Sequence, residues 1–282
     1  MSRTRPATGD EVLAAFRSLT TAQYQEWKVT DQARLRRWEA SWLAVYAPRI
    51  VECACCYRLP PWLLASVVLG EVTAMTTGER TAEFLGLGSS VGLAQLTVDT
   101  AIKYGLTPTA ARYFDHMARV ARRTPTQVGN ARLRQRALIR IELLDPAVSI
   151  CASARYLSQL LSHAHLAGRI GRYTIDRTEP WGVFDFSGLD MDGCPIDVAA
   201  ASQHPDLTER RIRVAKFFGA AHNDDALSGF RLGIGLTQGE NAGNIADDLI
   251  GFGFITRFGL EDCECPEPAP GTSVPSGGAP QP

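Results

Sequence analysis

The chain has 282 residues, 45% of them hydrophobic, with a formal net charge of -1. That is apolar chain enough for one large domain or two small ones. The near-neutral charge argues against a dedicated nucleic-acid binder, for which a strongly basic domain is expected.

No stretch reaches about 18 uninterrupted apolar residues, so neither a transmembrane helix nor membrane insertion is expected. The N-terminus, MSRTRPATGDEVLAAF, lacks an apolar run after its arginines and does not read as a secretory signal.

In chain order the pattern is mainly helical. One helical region is expected from about Asp10 to Trp27. A second runs from about Asp31 to Tyr57, with Leu35, Trp38, Trp42, Val45 and Tyr46 at spacings of three and four. Pro60 and Pro61 suit the first turn of a third helix, which is apolar nearly all round and delivers Glu71. Met75 to Val91 reads as a loop, and Leu93 to Tyr104 as a helix that Gly105 ends. Asp145 and Pro146 form an N-cap and N1 pair for a helix carrying Ile150, Ala154, Leu157 and Leu161.

Gly168 to Pro205 reads as an irregular insertion with a short hairpin. A helix then spans Leu207 to about His222, and the chain after Gly229 is glycine-rich with apolar pairs. Residues 266–282 are rich in Pro, Gly and Ser, the composition of a disordered tail. The expected organisation is an N-terminal helical segment (1–58), a catalytic domain (59–262) and a tail (263–282).

Seven cysteines are present, an odd number, without the paired CxxC spacing of a zinc site. They read as buried small hydrophobes or as one or two disulfides. The DMDG at Asp190 to Gly193 falls short of a calcium loop, because Gly188 and Ala199 stand at the first and twelfth ligand positions. His163 and His165 are poorly spaced for a metal. No metal or cofactor is expected. Arg132, Arg134, Arg136 and Arg140 alternate with Leu133, Leu138 and Ile141 and read as a solvated helix face.

The chemistry-bearing stretch is PPWLLASVVLGE followed by SSVGLAQLTVDTA. A carboxyl group at the edge of an apolar helix is held away from water, and a protonated glutamic acid can protonate a leaving oxygen. The segment from Pro60 to Ala101 resembles lysozyme-like lytic transglycosylases and goose-type lysozymes. In those families a helix ends in the catalytic glutamate, and a G-L-M-Q loop leads into the next helix. Here Gly92, Leu93, Gln95, Leu96, Thr100 and Ala101 match that pattern. The interval from Glu71 to Gln95 is nearer to goose-type lysozymes.

DPAVSICASARYLSQLL resembles the family's N-I-x-x-G-x-x-Y-L helix at Ile150, Tyr156 and Leu157. Ala220-Ala221-His222-Asn223 is a partial match to A-A-Y-N-A-G, with histidine where the family has the tyrosine that supports the glutamate. The serine that usually follows the catalytic glutamate is Val72.

The resemblance implies a lysozyme-like fold and cleavage between N-acetylmuramic acid and N-acetylglucosamine in peptidoglycan. Glu71 would act as acid and then as base while the muramyl C6 hydroxyl closes a 1,6-anhydro ring. An inverting hydrolase needs a second carboxylate about 6.5–9.5 Å away, and Glu83, Glu79 and Asp99 are the candidates. Gly92, Gln95, Tyr156, His222 and Asn223 would line or support the groove.

Simpler readings stay open. Glu71 could be an exposed helix-end glutamate, Glu83 a solvated loop charge, and His222 a partly buried polar residue.

The expected setting is synthesis in the cytoplasm and action in the periplasm or cell wall after export by another route. An antibacterial effector of a type VI secretion system fits first, ahead of a phage lysin or a wall-remodelling factor. The expected partners are an immunity protein or a secretion-machine component. The alternative is a lysozyme-like scaffold protein that has lost its activity.

Overall fold

The computed structural model describes residues 19, 21–74, 90–162, 187–189, 195–197, 207–223 and 234–261. Eleven helices and two short two-stranded sheets lie among them. Helices α1 (Thr21–Thr30) and α2 (Gln32–Cys56) meet at Asp31, whose carboxylate accepts from the Arg34 amide at 3.0 Å. That cap satisfies a donor the helix start leaves free. α2 buries Leu35, Trp38, Trp42 and Tyr46 of the predicted stripe, leaves Val45 half-buried and buries Ile50 as well.

Helix α3 (Pro61–Ala74) is buried at every residue from Pro61 to Thr73. A helix without a polar face is stable only when surrounded. Here α2 and three later helices pack around it. Burying each of Leu63, Leu64, Val67, Val68 and Leu69 stabilises the fold by about 1.5–3 kcal/mol before entropy is counted.

The expected helix from Leu93 starts five residues late. Strands β1 (Ser90–Val91) and β2 (Leu96–Thr97) pair antiparallel, Ser90 with Thr97, around a turn at residues 92–95. Gln95 takes φ 48°, a left-handed conformation that a helix cannot contain. Helix α4 (Val98–Tyr104) therefore begins after Thr97, whose hydroxyl caps the Thr100 amide, and ends at Gly105 with φ 59° as expected.

Helices α5 (Pro108–Ala111), α6 (Tyr113–Val120) and α7 (Pro125–Leu144) follow, the last opened by a reciprocal Thr124–Gln127 capping box. α7 buries Gln135, Ile139 and Leu143 and leaves Leu133, Leu138, Ile141 and Leu144 exposed between its arginines. Asp145 then starts helix α8 (Pro146–Ser162), its carboxylate accepting from the Ala147 amide at 2.8 Å. Strands β3 (Ser187–Leu189) and β4 (Pro195–Asp197) form an antiparallel pair inside the region expected to hold a hairpin.

Helices α9 (Leu207–Asn223), α10 (Ile234–Gly251) and α11 (Phe254–Arg257) complete the described fold. The sequence did not announce α10, because glycine is a poor helix former. Close packing explains it. A Cβ at Gly219 of α9 would lie 2.6 Å from the Ala242 Cβ, and one at Gly239 would lie 2.5 Å from the Lys216 carbonyl oxygen. Glycine lets these two helices approach to backbone contact, and both press on α3.

A disulfide joins Cys53 of α2 to Cys151 of α8. Cys55 is also disulfide-bonded, and Cys56 is a free, exposed thiol. No helix among the described residues is long and apolar enough to cross a membrane. No cluster of three metal-ligating side chains occurs among them either. Glu79, Glu83, His163, His165, the DMDG motif and the tail lie outside the described residues.

Candidate active site

Glu71 sits in the last turn of α3 and is only 3% exposed. The residue before it, Gly70, faces α10 so closely that a Cβ would come within 3.1 Å of the Ala242 backbone. The Glu71 carboxyl oxygen Oε1 lies 3.3 Å from Nδ1 of His222, which is in the last turn of α9 and also buried. The other imidazole nitrogen, Nε2, lies 3.1 Å from Oγ of Ser153 on α8. Tyr156, one turn further along α8, turns its ring edge-on to His222 with centroids 5.5 Å apart. Tyr104 backs Tyr156 at 5.4 Å.

Three helices thus contribute a carboxyl, an imidazole and a hydroxyl in one line of polar contacts. That order matches a nucleophilic triad, but Ser153 is in mid-helix with 0% exposure. Its hydroxyl has no surface on which to meet an acyl carbon, so it orients the ring rather than attacking a substrate. The imidazole is placed to support the carboxyl, and the carboxyl is the group at the end of the line.

The glycine-glutamine turn is built separately. Gly92 has φ 76°, and a Cβ there would lie 1.9 Å from the Leu143 carbonyl oxygen. Only glycine fits that contact and that conformation. The Gln95 side-chain amide folds back to donate to the Gly92 carbonyl at 2.7 Å, and the Gln95 backbone amide donates to the same oxygen at 3.1 Å. The Ala94 amide donates to Oγ of Ser149 at 3.0 Å, fastening the turn to the start of α8.

The remaining expected residues fall as follows. Tyr156 is in the core with 0% exposure, behind His222 rather than on an open wall. Asn223 is the last residue of α9. Glu83 lies outside the described residues. Asp99, a weaker candidate for a second carboxylate, is exposed and forms a two-pronged ion pair with Arg136. Hydrogen bonds from that guanidinium hold its carboxyl below the usual carboxylate range. Ser149 and Ser153 were not legible as site residues. Their one signal was position, four residues apart and hence on one face of the helix.

A second polar cluster is buried where α1, α2 and α10 meet. The Tyr24 hydroxyl donates to Asp248 Oδ2 at 2.9 Å, and Lys28 Nζ lies 4.0 Å from the same oxygen. Glu39, with 0% exposure, faces Asp248. Burial first, and then the Asp248 charge, push the Glu39 carboxyl well above its ordinary range. Burial also raises Asp248, with Lys28 and the Tyr24 hydroxyl opposing. Among the described residues neither Glu39 oxygen has a hydrogen-bond partner, so burial beside the Asp248 charge favours its protonated form. Tyr24 is raised as well, by burial and then by Asp248.

Compared with protein-family models, with curated proteins and with solved structures, the chain matches none.

Proposed function

We propose that this protein cleaves the glycan strands of peptidoglycan between N-acetylmuramic acid and N-acetylglucosamine, with Glu71 as general acid and then general base. The observation that carries the reading is the buried Glu71–His222 contact of 3.3 Å at the ends of α3 and α9. A carboxyl group released from water and given one oriented hydrogen-bond partner is suited to giving up and retaking a proton. The partner is an imidazole, which favours the lytic route, because that route needs no second carboxylate. On it, the proton given to the glycosidic oxygen is replaced by the proton of the muramyl C6 hydroxyl as the 1,6-anhydro ring closes.

The Cys53–Cys151 disulfide supports action outside the reducing cytoplasm. An antibacterial effector with an immunity partner accommodates that setting.

The test is mass spectrometry of muropeptides released from purified peptidoglycan by the wild type and by Glu71→Gln. Anhydro-muramyl ends from the wild type alone support the proposal. Reducing ends would move the reaction to hydrolysis. Equal release by both proteins would remove Glu71 from the mechanism. No release by the wild type would favour the inactive scaffold, a reading that Val72 and the imperfect A-A-H-N segment also support.

A further inference from the structure

Among the positions at which the chain departs from the family's patterns, two that lie far apart in sequence bring their side chains together. In the N-I-x-x-G-x-x-Y-L pattern, glycine falls where this chain has Ser153. In A-A-Y-N-A-G, tyrosine falls where it has His222. Ser153 Oγ and His222 Nε2 are 3.1 Å apart, both buried, across a sequence separation of 69.

The two residues are chemically complementary. A tyrosine presents one fixed hydroxyl donor, but an imidazole carries its proton on either nitrogen, and its other bond decides which.

We propose that Ser153 is a positioning residue that holds His222 in the Nδ1–H tautomer, so that His222 replaces the phenol as the hydrogen-bond donor to Glu71. Ser153 Oγ is 3.1 Å from Nε2, and donation of its proton there leaves the ring proton on Nδ1, which lies 3.3 Å from Glu71 Oε1. Glu71 then keeps its second oxygen for the substrate. When that oxygen releases its proton to the glycosidic oxygen, the Nδ1–H stabilises the carboxylate that forms. The proton returns to Glu71 from the C6 hydroxyl, and the ring ends as it began.

The opposite tautomer would place a lone pair against the new carboxylate and oppose the step. Tyr156 closes the edge of the ring and limits its rotation. This assignment rests on Glu71 being the acid of the proposed reaction, but its structural half can be read without activity.

The experiment has two arms. Nitrogen-15 spectra of histidine-labelled protein read the tautomer directly. The wild type should give the Nδ1–H pattern at His222, and Ser153→Ala should shift it towards Nε2–H or a mixture. Muropeptide release gives the second readout. Ser153→Ala should lower turnover about tenfold with little change in KM or melting temperature, and Ser153→Thr should restore part of it.

A double-mutant cycle completes the test. Ser153→Gly and His222→Tyr should each impair release, whereas the pair together should recover it. An Nε2–H tautomer in the wild type, full turnover in Ser153→Ala, or strictly additive losses in the cycle would overturn the proposal. Were the wild type inactive on peptidoglycan, the spectra alone would still decide the tautomer, and only the functional reading would fall.

Discussion

Ser149 and Ser153 stand one helical turn apart on α8, and their buried hydroxyls hold two different parts of the candidate site. Ser149 accepts from the amide of Ala94 in the glycine-glutamine turn, and Ser153 meets the imidazole that faces Glu71. One face of one helix therefore sets the distance between the loop and the acid. The two serines should separate by phenotype. Ser149→Ala frees the loop and leaves a buried amide without its acceptor. It is expected to raise KM on peptidoglycan and lower stability by about 1–3 kcal/mol. Titration of initial rates against substrate, with denaturant unfolding alongside, checks both.

Glu71→Gln keeps the shape of the side chain and removes its proton chemistry. Release of muropeptides should fall by about 100-fold to 10,000-fold, the range for loss of a positioned general acid. Circular dichroism should remain that of the wild type. A residual rate above a tenth of the wild-type rate would show that another group supplies the proton.

Gly92→Ala should be disproportionately damaging for one added methyl. The position combines φ 76° with a carbonyl oxygen 1.9 Å from the new carbon, and that oxygen belongs to backbone and cannot swing aside. We expect a loss of at least about 1 kcal/mol from the conformation alone, with a further loss as Leu143 is displaced. Thermal unfolding and cleavage assays should fall together.

The Glu39–Asp248 cluster predicts how stability varies with pH. Both carboxyls are raised in the folded protein, so the fold holds protons that the unfolded chain has already released. Their contribution is complete below the ordinary carboxyl range, near pH 4, and is lost as pH rises through the folded values. Melting temperature should therefore decline from acid towards neutral pH. Glu39→Gln, which keeps the shape of the side chain and does not titrate, should flatten that decline. A wild-type melting temperature that climbs over the same interval would contradict the assignment. Asp99 has the opposite sign, because Arg136 lowers it, but the pair is largely exposed and its effect is small.

The Cys53–Cys151 bridge closes a long loop, with a sequence separation of 98. Removing a loop constraint of that size costs about 2–5 kcal/mol. Cys53→Ala combined with Cys151→Ala should lower the melting temperature in oxidising buffer. The crosslink also fixes α2 beside the turn of α8 that carries Ser153, so the same variant should slow cleavage.

Much of this architecture was legible. Apolar spacing gave α2 and α3, and the Asp145–Pro146 pair and Gly105 marked helix ends at their observed places. Two elements were not. The turn at residues 92–95 looked helical because Leu93, Leu96 and Thr100 keep helical spacing, and the left-handed φ of Gln95 leaves no trace in composition. α10 has no assignment in the sequence pattern because its glycines, poor helix formers, serve packing against α9. At the site, the Glu71 and His222 positions came from pattern. Ser153 did not, because a serine in an apolar helix gains meaning only from what faces it across the fold.

Glu71, Ser153 and His222 come from α3, α8 and α9, and at least 69 residues of sequence separate any two of them. The acid and its supports therefore come into register only after α3, α8 and α9 have docked. A fragment ending before Leu207 would hold the carboxyl and both serines but not the His222 imidazole. In the proposed reaction, cutting activity would report completion of the tertiary fold, and a chain without its C-terminal helices would be inert.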